Sequence, residues 1–252
     1  MSTVSVRREW NTGRVLATPK RPLLILWDID HTLIETRGLG RELYARAFEE
    51  ATGSPLARPA EVTGRTELAI FAESLRRHGI EPSAELTQRY AAALSRQYRE
   101  NVDGLRERGR ALPGAAEALA LFAEQPGLLQ SVLTGNLRQV AITKLHAFDL
   151  AQHIDIEIGA YGDDHLDRPR LVPIAQKRAA AKSGQVFDRT NTVLIGDSTQ
   201  DVSAGQDGGA AVVGIASGAD DTDAMRRAGA VAIFRSLTDP TALISAIAQL
   251  HA

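Results

Sequence analysis

The sequence predicts an α/β protein in which a parallel sheet carries helices on both faces and is interrupted, after its first strand, by an all-α insertion. Three observations carry that prediction. The run Leu23-Leu24-Ile25-Leu26-Trp27 is wholly apolar, the form of a strand buried on both faces. Residues 36–112 show helical periodicity without a strand pattern. From Pro113-Gly114 onward, short apolar runs alternate with helix-length segments.

Taken in order, the first strand ends at Asp28-Ile29-Asp30-His31-Thr32, so polar residues begin where the strand stops. A helix is expected over 39–52, closed by Gly53 and Pro55, and another over 65–78, closed by Gly79. Ser83 suits the N-cap of a third, which is expected to run to Val102. Strands are then expected over 128–133, 154–158, 192–195, 211–215 and 231–234. Between and after them lie helices over 115–124, 137–146, 171–182 and 200–206, one near Ala224, and a last one from Pro240. The expected organisation is an N-terminal extension over 1–21, a core over 22–35 and 113–252, and a helical insertion over 36–112. The extension holds Arg7, Arg8, Arg14, Lys20 and Arg21 against Glu9 and reads as a solvated tail.

Composition narrows the function classes. The 252 residues are 44% hydrophobic and 24% charged, as in ordinary globular chains. A net charge of -2 and 5% aromatics give no electrostatic or stacking case for nucleic acid. No apolar run approaches the roughly 20 residues of a membrane span. With no cysteine, disulfides, thiolate nucleophiles and zinc–thiolate sites are excluded, and a cytoplasmic location is expected. The expected state is a monomer or homodimer.

In a parallel sheet, ligands bind beyond the carboxyl ends of the strands. The polar residues that follow the strands are Asp28 and Asp30, Thr134-Gly135-Asn136, Asp163-Asp164, and Asp197 with Asp201 in Gly196-Asp197-Ser198-Thr199-Gln200-Asp201. Gathering these acids creates like-charge repulsion that a hard dication with oxygen ligands relieves, and Mg²⁺ suits a few carboxylates, water and phosphate. Thr134-Gly135-Asn136 precedes a helix N-terminus, so its hydroxyl and free N–H groups suit a phosphate, while Thr134 also suits a helix N-cap. A cation is needed beside that anion. Arg168, in Asp167-Arg168-Pro169, is favoured over Lys144 and Lys177. Together the set points to phosphoryl transfer to a carboxylate nucleophile. Asp163, Asp164 and Asp167 read as a solvent-facing acidic loop, and His146 and His153 as structural or surface residues.

These motifs resemble those of the haloacid dehalogenase-like hydrolase superfamily, in its phosphoglycolate-phosphatase-like branch, from Leu23 to the end of the chain. The family's Asp-x-Asp-x-Thr motif matches Asp28-Ile29-Asp30-His31-Thr32, its Thr or Ser motif matches Thr134, and its acidic motif matches Gly196-Asp197 with Asp201. Its basic position is usually Lys before Pro. Here it falls on Arg168-Pro169, whose guanidinium fork replaces a point charge.

The resemblance implies a Rossmann-like core and a helical cap over the cleft. Asp28 would be the nucleophile and Asp30 the general acid/base. Mg²⁺ would be held by the Asp28 side chain, the Asp30 carbonyl and Asp197, with Asp201 supporting it. Gly135, Asn136 and His31 would contact a small phosphorylated metabolite. Arg65 would reach from the cap towards the substrate, or remain solvated in the first turn of its helix. Asp30 favours a phosphate ester over a halide, since true dehalogenases lack this second acid. The cap holds no lysine between Leu33 and Pro113, which disfavours Schiff-base phosphonate chemistry and counts against a β-phosphoglucomutase-like mutase. A non-catalytic phospho-metabolite binder would be expected to lose a core acid, and Asp28, Asp30 and Asp197 are all present.

Overall fold

A computed structural model of the protein describes residues 21–217 and 222–250. The expected extension therefore lies, but for Arg21, outside the described residues. The sheet contains β1 (Leu23–Trp27), β4 (Leu128–Val132), β5 (Thr192–Gly196), β6 (Ala211–Ile215) and β7 (Ala232–Phe234). Its order is β4-β1-β5-β6-β7, with every pair parallel.

The alternation within β1 explains its unbroken hydrophobicity. Leu23, Ile25 and Trp27 point into one core layer with Ala115, Leu119 and Phe122. Leu24 and Leu26 point into the other, with Leu171, Val172 and Ala175. The first layer rests on α5 (Ala115–Ala123) and α10 (Pro240–Leu250), and the second on α7 (Leu171–Ser183). Trp27 meets Phe122 edge-on at 5.2 Å. Its indole donates to Gln130 Oε1 at 3.1 Å, and the Gln130 amide in turn donates to Leu119 O at 2.7 Å. These buried polar side chains of Trp27 and Gln130 are thus paired.

β1 has β4 on one side and β5 on the other, and the chain reaches them in opposite directions. The carboxyl end of β1 is therefore the point where strand order reverses, and Asp28 follows it directly.

Four helices, α1 (Leu39–Thr52), α2 (Glu67–Arg77), α3 (Ala84–Glu100) and α4 (Val102–Arg108), form the inserted block. They share a core of Leu43, Phe48, Phe71, Leu75, Tyr90 and Leu94, to which Leu137 and Val140 of the adjoining core segment also contribute. Ser83 caps α3 by accepting from Leu86 N at 3.2 Å, as expected.

Three expectations about elements require correction. Residues 154–158 do not form a strand. Beside it Leu133 and Ala160 form an isolated bridge, and Asp155 N donates to Gln130 O at 3.1 Å, but the carbonyls of Asp155 and Ile156 accept from Ser131 Oγ (2.6 Å) and Tyr161 OH (2.6 Å), side-chain bonds that stand in place of a ladder. Residues 36–112 do contain a strand: β3 (Arg110–Ala111), at the exit of the block, pairs antiparallel with β2 (Ile34–Glu35), just before its entrance. Two residues are too few to show a period of two. The third helix stops at Glu100, and Asn101, at φ -114° and ψ 28°, breaks the chain into α3 and α4.

Candidate active site

Each acidic residue is placed by a different local device. Asp28 continues β1, its N–H donating to Ile195 O at 2.8 Å while Trp27 O accepts from Leu133 N at 2.9 Å. Asp201 is the third residue of α8 (Thr199–Gly208) and belongs to a capping box with Ser198. Its Oδ2 accepts from Ser198 N at 3.1 Å and Ser198 Oγ at 2.6 Å. Gly196 makes room for it, since a Cβ there would lie 2.5 Å from the Asp201 carboxyl carbon.

Asp28, Asp197 and Asp201 each present a carboxylate oxygen within 4.8 Å of the others. Burial pushes the Asp28 carboxyl up to about 7; Arg168 opposes the shift and the charges of Asp201 and Asp30 add to it. Burial, then Asp28 and Asp201, push Asp197 up to about 8. Such a set of hard oxygen donors, disfavoured as free anions, fits a small dication.

Arg168 precedes α7 and reaches into this cluster. Its Nη2 donates to Asp28 Oδ1 at 2.7 Å and to Asp201 Oδ1 at 2.5 Å. Burial opposes its charge, and the two carboxylates outweigh that burial. The Nε atom is buried with no hydrogen-bond partner among the described residues.

Asp30 stands apart from the three clustered acids. Lys144, on α6 (Arg138–Ala147), donates to its Oδ1 at 2.9 Å and its Oδ2 at 2.7 Å. Asn136 Nδ2 adds a bond to Oδ2 at 2.8 Å. Burial would raise the Asp30 carboxyl, but the Lys144 charge and these hydrogen bonds hold it below the usual carboxylate range. Thr134 Oγ1 accepts from Asn136 Nδ2 at 2.7 Å and Asn136 N at 3.3 Å, which leaves its own hydrogen to donate.

The helical block closes onto this loop. Glu67 N donates to Gly135 O at 2.8 Å, and Leu137 N donates to Glu67 Oε2 at 2.6 Å. Thr66 Oγ1 donates to Leu166 O at 2.9 Å. A Cβ on Gly135 would lie 2.2 Å from Arg65 O, so this close approach needs glycine. Burial pushes the Glu67 carboxyl up to about 7.

Asp28, Asp197, Asp201 and Arg168 thus form one group, and Asp30, Thr134 and Asn136 another. Arg65 is half-buried, and its guanidinium donates to Ala69 O at 3.2 Å and Glu61 O at 3.5 Å. His31 is exposed at φ 62°, with its carbonyl accepting from Ser217 Oγ at 2.5 Å. Asp164 is not a solvent-facing acid: it is half-buried and pairs with Arg178 Nη1 at 2.6 Å, while Asp163 Oδ1 accepts from Arg138 N at 3.0 Å.

Sequence reasoning missed Glu67 and held Lys144 only as a less favoured cation for the phosphate. Lys144 occupies the same helix face as the buried Val140 and Ala141, so a lysine within an apolar stripe was the available clue. Glu67 gave none, because an acid in the first turn of a helix is ordinary.

The sequence matches the family model for haloacid dehalogenase-like hydrolase over residues 25–206. The chain belongs to this hydrolase family, and it is an enzyme. It is 26% identical over 214 residues to a protein of Dickeya dadantii described as the probable phosphatase IndB, covering 81% of this chain and 86% of that protein. A hydrolase from Pseudomonas syringae superposes with a TM-score of 0.61 at 24% identity, over 90% of this chain and 99% of that one. A predicted phosphoglycolate phosphatase from Haemophilus somnus gives 0.59 at 18% identity, over 89% and 98%. These likenesses support the Rossmann-like core with a helical insertion. Among the described residues, no helix is long and apolar enough to cross a membrane.

The raised carboxyls make a stability prediction. Asp28 and Asp197 shift from 3.8 to about 7 and about 8, and Glu67 from 4.5 to about 7. Each binds its proton more tightly in the folded state. Their contribution is therefore complete below the ordinary carboxylate range and is lost as pH rises through about 7 and 8. Asp30 has the opposite sign, but its contribution is already complete above about pH 4. In EDTA, the melting temperature should fall by roughly 5–10 °C between about pH 5 and pH 8. Excess Mg²⁺ should reduce the fall. An identical slope with and without the metal would exclude Asp28 and Asp197 as its ligands.

Proposed function

We propose that the protein is a Mg²⁺-dependent phosphatase that hydrolyses a small phosphate monoester through an aspartyl-phosphate on Asp28. The observation that carries this reading is the position of Asp28 at the sheet's switch point, within 4.8 Å of Asp197 and Asp201 and bonded to Arg168. The Asp28 and Asp197 side chains and the Asp30 carbonyl would hold Mg²⁺, supported by Asp201. When bound, the metal supplies positive charge that screens the approach of a carboxylate to a phosphate.

This chain's own residues do the rest. An Asp28 oxygen attacks phosphorus, the P–O bond to the substrate breaks, and Asp30, having taken up the proton of the bound phosphate monoanion, passes it to the departing oxygen. Asp30 then takes a proton from water as that water attacks phosphorus, releasing inorganic phosphate and restoring Asp28. The Thr134 hydroxyl, the N–H groups of Gly135 and Asn136, and the Arg168 charge stabilise the phosphoryl oxygens. His31 lines the turn beside them. Arg65 turns from its present bonds to its own segment towards the substrate's anionic group.

The block over residues 36–112 acts as a cap, and its seat on Gly135 requires opening for substrate entry and closure to exclude water. That tight seat supports a small leaving group. The protein would act in the cytoplasm as a monomer or homodimer.

The test is phosphate release from a panel of small phosphate monoesters in Mg²⁺ and in EDTA. Metal-dependent release from at least one ester is expected. Failure on all of them, with isomerisation in an assay primed by a sugar bisphosphate, would replace the phosphatase by a mutase. Failure of both would leave a phospho-metabolite binder.

A further inference from the structure

We propose that Lys144 is a positioning residue that fixes the Asp30 carboxylate for its proton transfers, an inference that rests on the phosphatase reading above. The side chain of Lys144 is 3% exposed, whereas that of Asp30 is 37% exposed, so the ammonium anchors the acid from the protein's interior. The ammonium donates to both Asp30 oxygens, at 2.9 and 2.7 Å, and to Asn136 Oδ1 at 2.6 Å. Asn136 closes the ring by donating to Asp30 Oδ2 at 2.8 Å and to Thr134 Oγ1 at 2.7 Å. All ring members but Asp30 lie on one continuous segment running from β4 into α6.

Two consequences follow from that geometry. Asp30 is held outside the group formed by Asp28, Asp197 and Asp201, so it is not drawn in as a further metal carboxylate. It is also fixed relative to Thr134, which faces the same phosphoryl group. The Lys144 ammonium lies 5.1 Å from the ring centre of Tyr98 on α3, so a residue of the helical block completes its surroundings. The position of Asp30 is thereby tied to the seating of that block. Lys144 stays an ammonium throughout. The proton passes between Asp30, the departing oxygen and water, and none passes through the lysine.

The experiment compares two esters in one preparation. p-Nitrophenyl phosphate releases a phenolate that needs little protonation, whereas the best alkyl phosphate from the panel releases an alkoxide that needs a proton. Lys144→Met should lower kcat for the alkyl ester roughly 10²-fold more than for the aryl ester. A general loss of folded protein would lower both equally, and that result would overturn the proposal. Lys144→Arg keeps the charge but not the point geometry. It should shift the same ratio less, and an unchanged ratio in this variant overturns the proposal even if Lys144→Met fails to fold.

In an Asp30→Asn background, Lys144→Met should cause no further loss. A fully additive loss would mean that Lys144 acts independently of Asp30. Because the ratio is defined only when wild type turns over both esters, its failure is distinct from failure of the phosphatase reading, in which wild type would release no phosphate.

Discussion

Asp28→Asn should reduce Mg²⁺-dependent phosphate release to background while raising the melting temperature of the metal-free protein at about pH 8. The loss follows from the chemistry, because an amide oxygen is too weak a nucleophile to form the phosphoryl intermediate. The gain follows from the electrostatics. Burial makes the Asp28 anion unfavourable, raising its carboxyl to about 7, so above that pH the folded protein carries a charge it would hold more easily unfolded. Asn keeps the shape of the neutral acid, and its oxygen can still accept from Arg168 Nη2. Stabilisation combined with complete loss of turnover marks a residue held against stability for chemistry. Undiminished turnover in a clean preparation would remove Asp28 as the nucleophile. A lower melting temperature would show that its charge is compensated after all.

Arg168→Met should have the largest effect on stability, a loss of about 3–5 kcal/mol in metal-free protein. Arg168 is 8% exposed and its partners Asp28 and Asp201 are 7% and 2% exposed at their side chains, so solvent cannot replace the lost cation. Asp201 retains its bonds to Ser198, which orient it without neutralising it. Mg²⁺ should restore part of the loss, because the metal supplies positive charge to the same oxygens. Turnover should fall roughly 10²–10³-fold even in saturating metal, for want of the charge beside the phosphoryl oxygens. Denaturant midpoints with and without Mg²⁺ check the first part and kcat the second. A stability change under about 1 kcal/mol would place this ion pair among the weak ones.

The sheet was legible because its strands are buried on both faces. The apolar runs that became β1, β5 and β6 carry this in their composition, and Ala211–Ile215 matches its expected bounds. The segment 154–158 alternates Ile with acids as a strand does, yet its Asp155 carbonyl is taken by Ser131, a partner 24 residues away and outside any local window. In the site, the residues at strand ends were legible because the topology brings strand ends together. Arg168, singled out by its Asp-Arg-Pro context, lies beside Asp28. Lys144 was not legible, because its partner Asp30 lies 114 residues away and pattern alone ranked it below Arg168. The direction of the Arg65 side chain was equally hidden, since it depends on which carbonyls of its own segment are free.

The antiparallel pair Ile34–Glu35 and Arg110–Ala111 has an evolutionary corollary. The chain leaves the catalytic platform and returns to it at adjacent points, so the intervening helices behave as a cassette that can be exchanged without retracing the sheet. Beyond the bonds to Gly135 and Leu166, the exchange is constrained along α6. Leu137 and Val140 are packed into the cassette's own interior, and Lys144 lies against Tyr98. A transplanted cassette would therefore have to bring matching partners for that single helix. Diversification of substrate choice in such chains should leave its trace there, as paired changes on α6 and the incoming helices, while the acids at the strand ends stay fixed.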